Sequence, residues 1–331
     1  MMQQGKKGSG RLRGVVITCV VIVAVVAVAA AITLSKRPDS GPLPVKLPTT
    51  PGSYLGVYAK GSPATYSGVT SFKDATGTHP DVLMYYSGWF EPFQVSFAQK
   101  AASEGAVPLV QLDPMGSKKE GPISLAAIAA GRYDPYLSSY AVAVKAYKHP
   151  VILSFAHEMN GSWYPWGTRG AASPQTYVKA WRHVVKIFRA LRATNVTWMW
   201  TVNIINNAHG STNSIPSPGP WWPGSAYVNW VGIDGYYLKP TWEFAPLFGP
   251  TITAVRELTT DPILIAETGA SPPANKPAKI ANVFAGVQHY GLLGMVWFNS
   301  VNSNGVDFRV DSSAAEAAFR KGASTYKRPG S

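Results

Sequence analysis

Two glutamates close apolar stretches that hold no other ionised group: Glu158, at the end of VILSFAHE, and Glu267, at the end of ILIAE. Either carboxylate alone has an ordinary use, as a helix cap or half of a salt bridge. Two of them at one cleft have a more specific use. Cleaving a glycosidic bond takes one carboxyl group to protonate the leaving oxygen and a second to attack the anomeric carbon, and close placement makes the reaction retaining. Mutual repulsion raises the pKa of one member of such a pair, which suits it to act as an acid at neutral pH.

Other chemistries fail on spacing. His157-Glu158 would open a zinc-protease helix only if a second histidine stood at 161, where the chain has Gly161. The six histidines are otherwise dispersed, and no metal site or cofactor is expected. No G-x-S-x-G elbow, G-x-G-x-x-G turn or Walker A loop occurs. The single cysteine, Cys19, lies in an N-terminal apolar run, leaving no disulfide framework or thiol nucleophile for the rest of the chain.

The elements that must position the glutamates read as eight short apolar runs separated by helical patterns. The runs are Tyr54–Tyr58, Val82–Tyr86, Val107–Leu112, Val151–His157, Val196–Val202, Val231–Tyr236, Ile263–Glu267 and Gly294–Asn299. Continuous apolar runs such as VPLVQL fit parallel strands buried on both faces. Helices are predicted over Phe93–Ser103, Tyr136–Tyr147 and Pro174–Arg192, the last opened by Ser173 and Pro174 as cap and first-turn residue. Eight such units in residues 54–325 predict an α/β fold, the (β/α)₈ TIM barrel, with its site at the carboxyl ends of the strands. Those ends carry Trp89, Asp113, His157-Glu158, Asn203, Asp234, Tyr236, Glu267 and Trp297.

All eleven tryptophans follow residue 88, several of them in strand-to-helix loops, including Trp89, Trp163 and Trp166. Flat aromatic faces suit the C–H faces of sugar rings, so the cleft is expected to hold a neutral polysaccharide by stacking, with scarcely a lysine or arginine at the strand ends. Trp181, Trp198 and Trp230 read instead as core.

Residues 15–34, VVITCVVIVAVVAVAAAITL, are long and apolar enough to cross a bilayer, and the basic segment 1–14 before them predicts a cytoplasmic N-terminus with the barrel outside the cell membrane. The alternative is a secreted protein cut near Ala29. Residues 35–53 read as a proline-rich spacer. Of the net charge of +13, residues 1–50 carry +6 and the rest +7, scattered except for one cluster on the polar side of an amphipathic helix, so no nucleic-acid partner is expected. The barrel is expected to be a monomer.

With these residues in hand the chain resembles glycoside hydrolase family 26, the β-mannanases with some mixed-linkage β-glucanases and β-1,3-xylanases. SFAHEMNGSWYPWG carries most of the likeness, supported by IAAGRYDPYL, WTVN, GIDGYY, LIAETG and MVWFN. The resemblance implies an endo-acting β-mannanase-like enzyme with Glu158 as acid/base and Glu267 as nucleophile. It also implies that His157 contacts the sugar beside the scissile bond, that Tyr236 hydrogen-bonds the nucleophile, and that Trp297 and Trp163 face the sugars before and after the cut. Many family mannanases have Arg-Pro-Phe before His-Glu, where this chain has Ser154, Phe155 and Ala156. A mixed-linkage β-glucanase or an enzyme trimming exopolysaccharide is the alternative. A barrel that binds without cutting would be expected to lack one of the glutamates.

Overall fold

The computed structural model describes residues 47–205 and 215–326. Eight strands, β1 (Tyr54–Ala59), β2 (Val82–Ser87), β3 (Val107–Leu112), β4 (Val151–Phe155), β5 (Val196–Asn203), β6 (Trp230–Asp234), β7 (Ile263–Thr268) and β8 (Gly294–Asn299), pair in sequence order. All are parallel, and β1 closes on β8 from Tyr54 opposite Gly294 to Ala59 opposite Asn299. This is the expected (β/α)₈ barrel. Its helices are α1 (Ser67–Thr76), α2 (Val95–Ser103), α3 (Leu125–Ala129), α4 (Asp134–Tyr147), α5 (Pro174–Ala190), α6 (Phe244–Arg256), α7 (Lys276–His289) and α8 (Ser313–Ala323). Ser173 caps α5, its hydroxyl accepting from the Thr176 N–H, with Pro174 in the first turn.

Strand residues alternate between two buried layers. Leu83, Tyr85, Leu153, Phe155, Met295 and Trp297 join helix residues such as Phe72, Trp181 and Phe319 in the layer between strands and helices. Val82, Met84, Ile152, Leu264, Val296 and Phe298 fill the barrel interior. Because both faces are covered, hydrophobicity is continuous along each strand rather than alternating.

Regularity fails at two strand ends. β4 stops at Phe155, two residues short of the expected His157, because Ala156 and Glu158 take left-handed backbone at φ 49° and 54°. On β7 the register with β6 shifts, pairing Asp234 with Glu267, and the register with β8 shifts between Ile265 and Thr268. Such a bulge re-aims a side chain. β6 also ends early, at Asp234 rather than Tyr236.

The membrane-anchor segment 15–34 lies outside the described residues; among the described residues no helix is long and apolar enough to cross a membrane. The end of the expected spacer is not free. Leu47 packs on the barrel-interior cluster, and the Gly52 and Ser53 N–H groups donate to the Leu292 and Leu293 carbonyls. The tyrosyl hydroxyl of Tyr54 also donates to the Pro48 carbonyl at 2.8 Å, so residues 47–53 cover the amino-terminal end of the barrel.

Candidate active site

The β7 bulge gives Glu267 its place. Ala266 already occupies the interior layer, so a regular strand would send the next side chain toward the helices. With the register shifted, Glu267 also turns inward and meets two phenols. Tyr86 at the end of β2 donates to Oε1 and Tyr236 after β6 donates to Oε2, each at 2.6 Å. Burial and then the charge of Glu267 hold both phenols far above their usual pKa, so they remain donors.

Glu158 follows the left-handed turn after β4. Trp163 Nε1 donates to its Oε2 at 2.6 Å, and Asn203 Nδ2, at the end of β5, donates to its Oε1 at 2.5 Å. Asn160 locks that arrangement, accepting from the Asn203 N–H and donating to the Asn203 carbonyl. His157 is coupled electrostatically to both glutamates. Its Nδ1 pairs with Asp113 Oδ1 at 2.8 Å and its Nε2 meets the Tyr164 hydroxyl at 3.1 Å.

Charge inside this pocket follows from burial and neighbours. Burial pushes the Glu267 carboxyl up, the positive charge of His157 pulls it down, and Glu158 pushes it up again, while both tyrosyl hydrogen bonds favour the anion; the outcome is about 7. Burial alone would lower His157, but the Asp113 charge and hydrogen bond, with Glu158 and Glu267, lift it to about 9. Asp234 is fully buried, and among the described residues neither of its oxygens has a hydrogen-bond partner. Burial, and then the Glu267 charge, raises its pKa well above the usual carboxylate value.

His157, Asp234 and Glu267 bring potential ligand atoms within 4.8 Å of one another, the grouping among the described residues that could hold a metal ion. Both ring nitrogens of His157 and both oxygens of Glu267 already have partners. A cation would have to displace them.

Three tryptophans expected at the cleft are elsewhere. Trp297 is fully buried between strands and helices, edge-on to Phe319, with its Nε1 donating to the Phe308 carbonyl. Phe298, one residue on, has the inward parity and stacks on Tyr58 at 4.7 Å between centroids. Trp89 is buried against Tyr136 and Phe155. Trp166 is buried as well: it stacks on Tyr164 at 4.4 Å and holds the His157 carbonyl through Nε1. Trp163 alone of the four is exposed, at 46%. Trp181, Trp198 and Trp230 are core, as expected.

Glu158, Trp163, Asn203 and Tyr236 open on a cavity of about 560 Å³ that is also lined by Arg169, Ile215, Pro216, Asn302, Asn304, Val306 and Phe308. Sequence reasoning missed Tyr58, Tyr86, Asn160, Tyr164 and Arg169. Tyr86 had a signal: Val82 and Met84 share its parity.

Residues 130–265 match the sequence family Glycosyl hydrolase family 26. Endoglucanase H of Acetivibrio thermocellus is 29% identical over 286 residues, covering 82% of this chain and 30% of the relative. The chain therefore spans under a third of that protein's length. A mannan endo-1,4-β-mannosidase of Caldalkalibacillus mannanilyticus is 29% identical over 90 residues, 25% of this chain and 16% of that one. Among solved structures, an endo-β-1,4-mannanase of Cellulomonas fimi superposes with a TM-score of 0.64 at 18% identity, covering 82% of this chain and 70% of that one. The family resemblance read from the sequence is borne out.

Proposed function

We propose that this family 26 barrel is an endo-acting, retaining glycoside hydrolase that cuts a β-linked polysaccharide, with Glu267 as nucleophile and Glu158 as acid/base. The observation that carries this reading is the unlike support of two carboxylates that feel each other's charge, one lining the cavity and one buried. Glu267 is clamped by two phenol donors beside a cationic imidazole, which favour the anion a nucleophile must be. Burial opposes them and still leaves its pKa at about 7, so the raised carboxyl is this one and not, as the pair's repulsion alone suggests, the acid. Glu158 stands at the wall of the open cavity, where a leaving oxygen can be protonated and a water later activated. In this scheme His157 binds the sugar at the point of cleavage and Trp163 faces the sugar beyond it.

β-Mannan is the first reading of the substrate, and β-glucan the second. Ser154, standing where many family mannanases have arginine, is fully buried and hydrogen-bonded to Thr201 at 2.9 Å, which favours the second. So does the likeness to an endoglucanase along most of the chain. Reducing-sugar release from mannan, mixed-linkage glucan, cellulose and xylan decides between them. NMR of the first-formed anomer tests retention, and inactivity on the whole panel would sink the hydrolase reading. The barrel is further proposed to act outside the cell from a membrane anchor; full-length protein should stay with membranes through a high-salt wash.

A further inference from the structure

The cleft expected to hold scarcely a lysine or arginine carries an arginine. Arg169 lines the cavity that Glu158 opens on, and among the described residues the only carboxylate lining it is Glu158. Arg169 is exposed and has no ion-pair or hydrogen-bond partner among the described residues. The cavity's other polar side chains are uncharged, among them Asn302, Asn304 and Ser162.

Its placement is fixed by the backbone. Gly170 N–H donates to the Gly167 carbonyl at 2.9 Å, closing a turn with Thr168 and Arg169 at its centre. Both the Thr168 N–H and its hydroxyl donate to the Gly161 carbonyl, at 2.8 and 3.0 Å. Gly161 N–H in turn donates to the Glu158 carbonyl at 2.8 Å. Only glycine closes this turn: a Cβ on Gly170 would lie 1.7 Å from the Pro165 carbonyl oxygen, and one on Gly167 2.4 Å from that of Gly161. Two short links therefore tie the guanidinium's base to the acid/base residue.

We infer that Arg169 makes the leaving-group side of the cleft a subsite for an anionic substituent, so that the preferred substrate is a β-glycan bearing a carboxylate beyond the scissile bond. An unpaired guanidinium offers a planar fork of donors that fits a carboxylate in two parallel hydrogen bonds, where a hydroxyl takes only one. The side is set by Glu158: the group that protonates the leaving oxygen faces the sugars that depart with it. This deepens the hydrolase reading and rests on it for the assignment of sides.

The test compares kcat/KM of the full chain on two oligosaccharides that differ only in a uronic acid in place of the neutral sugar on the leaving side. A preference of about tenfold for the acidic one is expected at low salt, shrinking in 0.5 M NaCl as screening weakens the pair. In Arg169→Gln the ratio should fall to near one, while Arg169→Lys should keep part of it. The same ratio is read without chemistry as calorimetric affinities of the two oligosaccharides for Glu267→Ala, with and without Arg169→Gln. A ratio near one in both assays, or one that Arg169→Gln leaves intact, overturns the inference while leaving hydrolysis standing. Arg169-dependent binding in a chain that cleaves neither sugar would overturn the hydrolase reading instead.

Discussion

The ends of β4 and β7 supply one glutamate each, and they do so differently. On β7 the strand continues to Thr268 and a register shift turns Glu267 inward, into a closed nest of Tyr86, Tyr236 and His157. On β4 the strand breaks, and Glu158 leaves it on left-handed backbone at the wall of an open cavity. One carboxylate is immobilised in a buried nest, where its pKa stands at about 7. The other is held by Trp163 and Asn203 where sugar and water can reach it. The difference teaches that the two roles are written in the backbone as much as in the side chains.

The largest test of that contrast removes each carboxylate in turn. Glu267→Ala should lower kcat by roughly four orders of magnitude on every substrate, since no other group in the nest can attack. Glu158→Ala should cost about 10²–10⁴-fold on polysaccharide but much less on aryl glycosides with acidic leaving groups, which need little protonation. Equal losses on both substrate types in both variants would erase the distinction.

A smaller effect sharpens the β7 side. In the proposed role Glu267 must be ionised to attack, and its pKa of about 7 lies above the usual carboxylate range, so kcat/KM should rise as pH climbs through about 7 and fall away below it. Tyr86→Phe removes a hydrogen bond that favours the anion, so its acidic limb should move to higher pH. Stability runs the other way. A carboxyl whose folded pKa is raised contributes stability that is full below its unfolded value and lost as pH rises through about 7. The melting temperature should therefore decline across that interval, and less steeply in Glu267→Gln.

The smallest effect separates tryptophans. Trp163→Ala should cost about 1–3 kcal/mol in transition-state stabilisation, read as kcat/KM, with little change in melting temperature. Trp297→Ala should do the reverse, destabilising the fold by roughly 3–5 kcal/mol through a cavity between strands and helices.

That last pair also marks where the sequence stops being legible. The eight strands could be read because each is a continuous apolar run, and Glu158 and Glu267 because nothing else on their strands is charged. The same continuity hides parity: with both faces buried, nothing in MVWFN says whether Trp297 or Phe298 looks into the barrel. Regular alternation would even have turned Glu267 away from the cleft, and only the register shift brings it in. The partners of the site come from far along the chain. Asp113 is 44 residues from His157, and Tyr86 is 181 from Glu267, so neither pairing leaves a local trace. Arg169 looked like one more scattered cation because the turn that carries it is closed by backbone contacts between glycines and carbonyls.

The left-handed backbone at Glu158 has an evolutionary side. A side chain there is held at φ 54°, a conformation that costs an ordinary residue about 1–2 kcal/mol and glycine almost nothing. Both Glu158→Ala and Glu158→Gly lose the carboxylate, so comparing them isolates the backbone. The glycine variant should be the more stable by about 1 kcal/mol, reversing the usual order of the two residues. If Glu158 is the acid/base proposed above, selection for cutting and selection for folding pull position 158 in opposite directions. In a lineage where cutting ceased to matter, glycine would be the downhill substitution at that position, leaving a barrel that grips polysaccharide without breaking it.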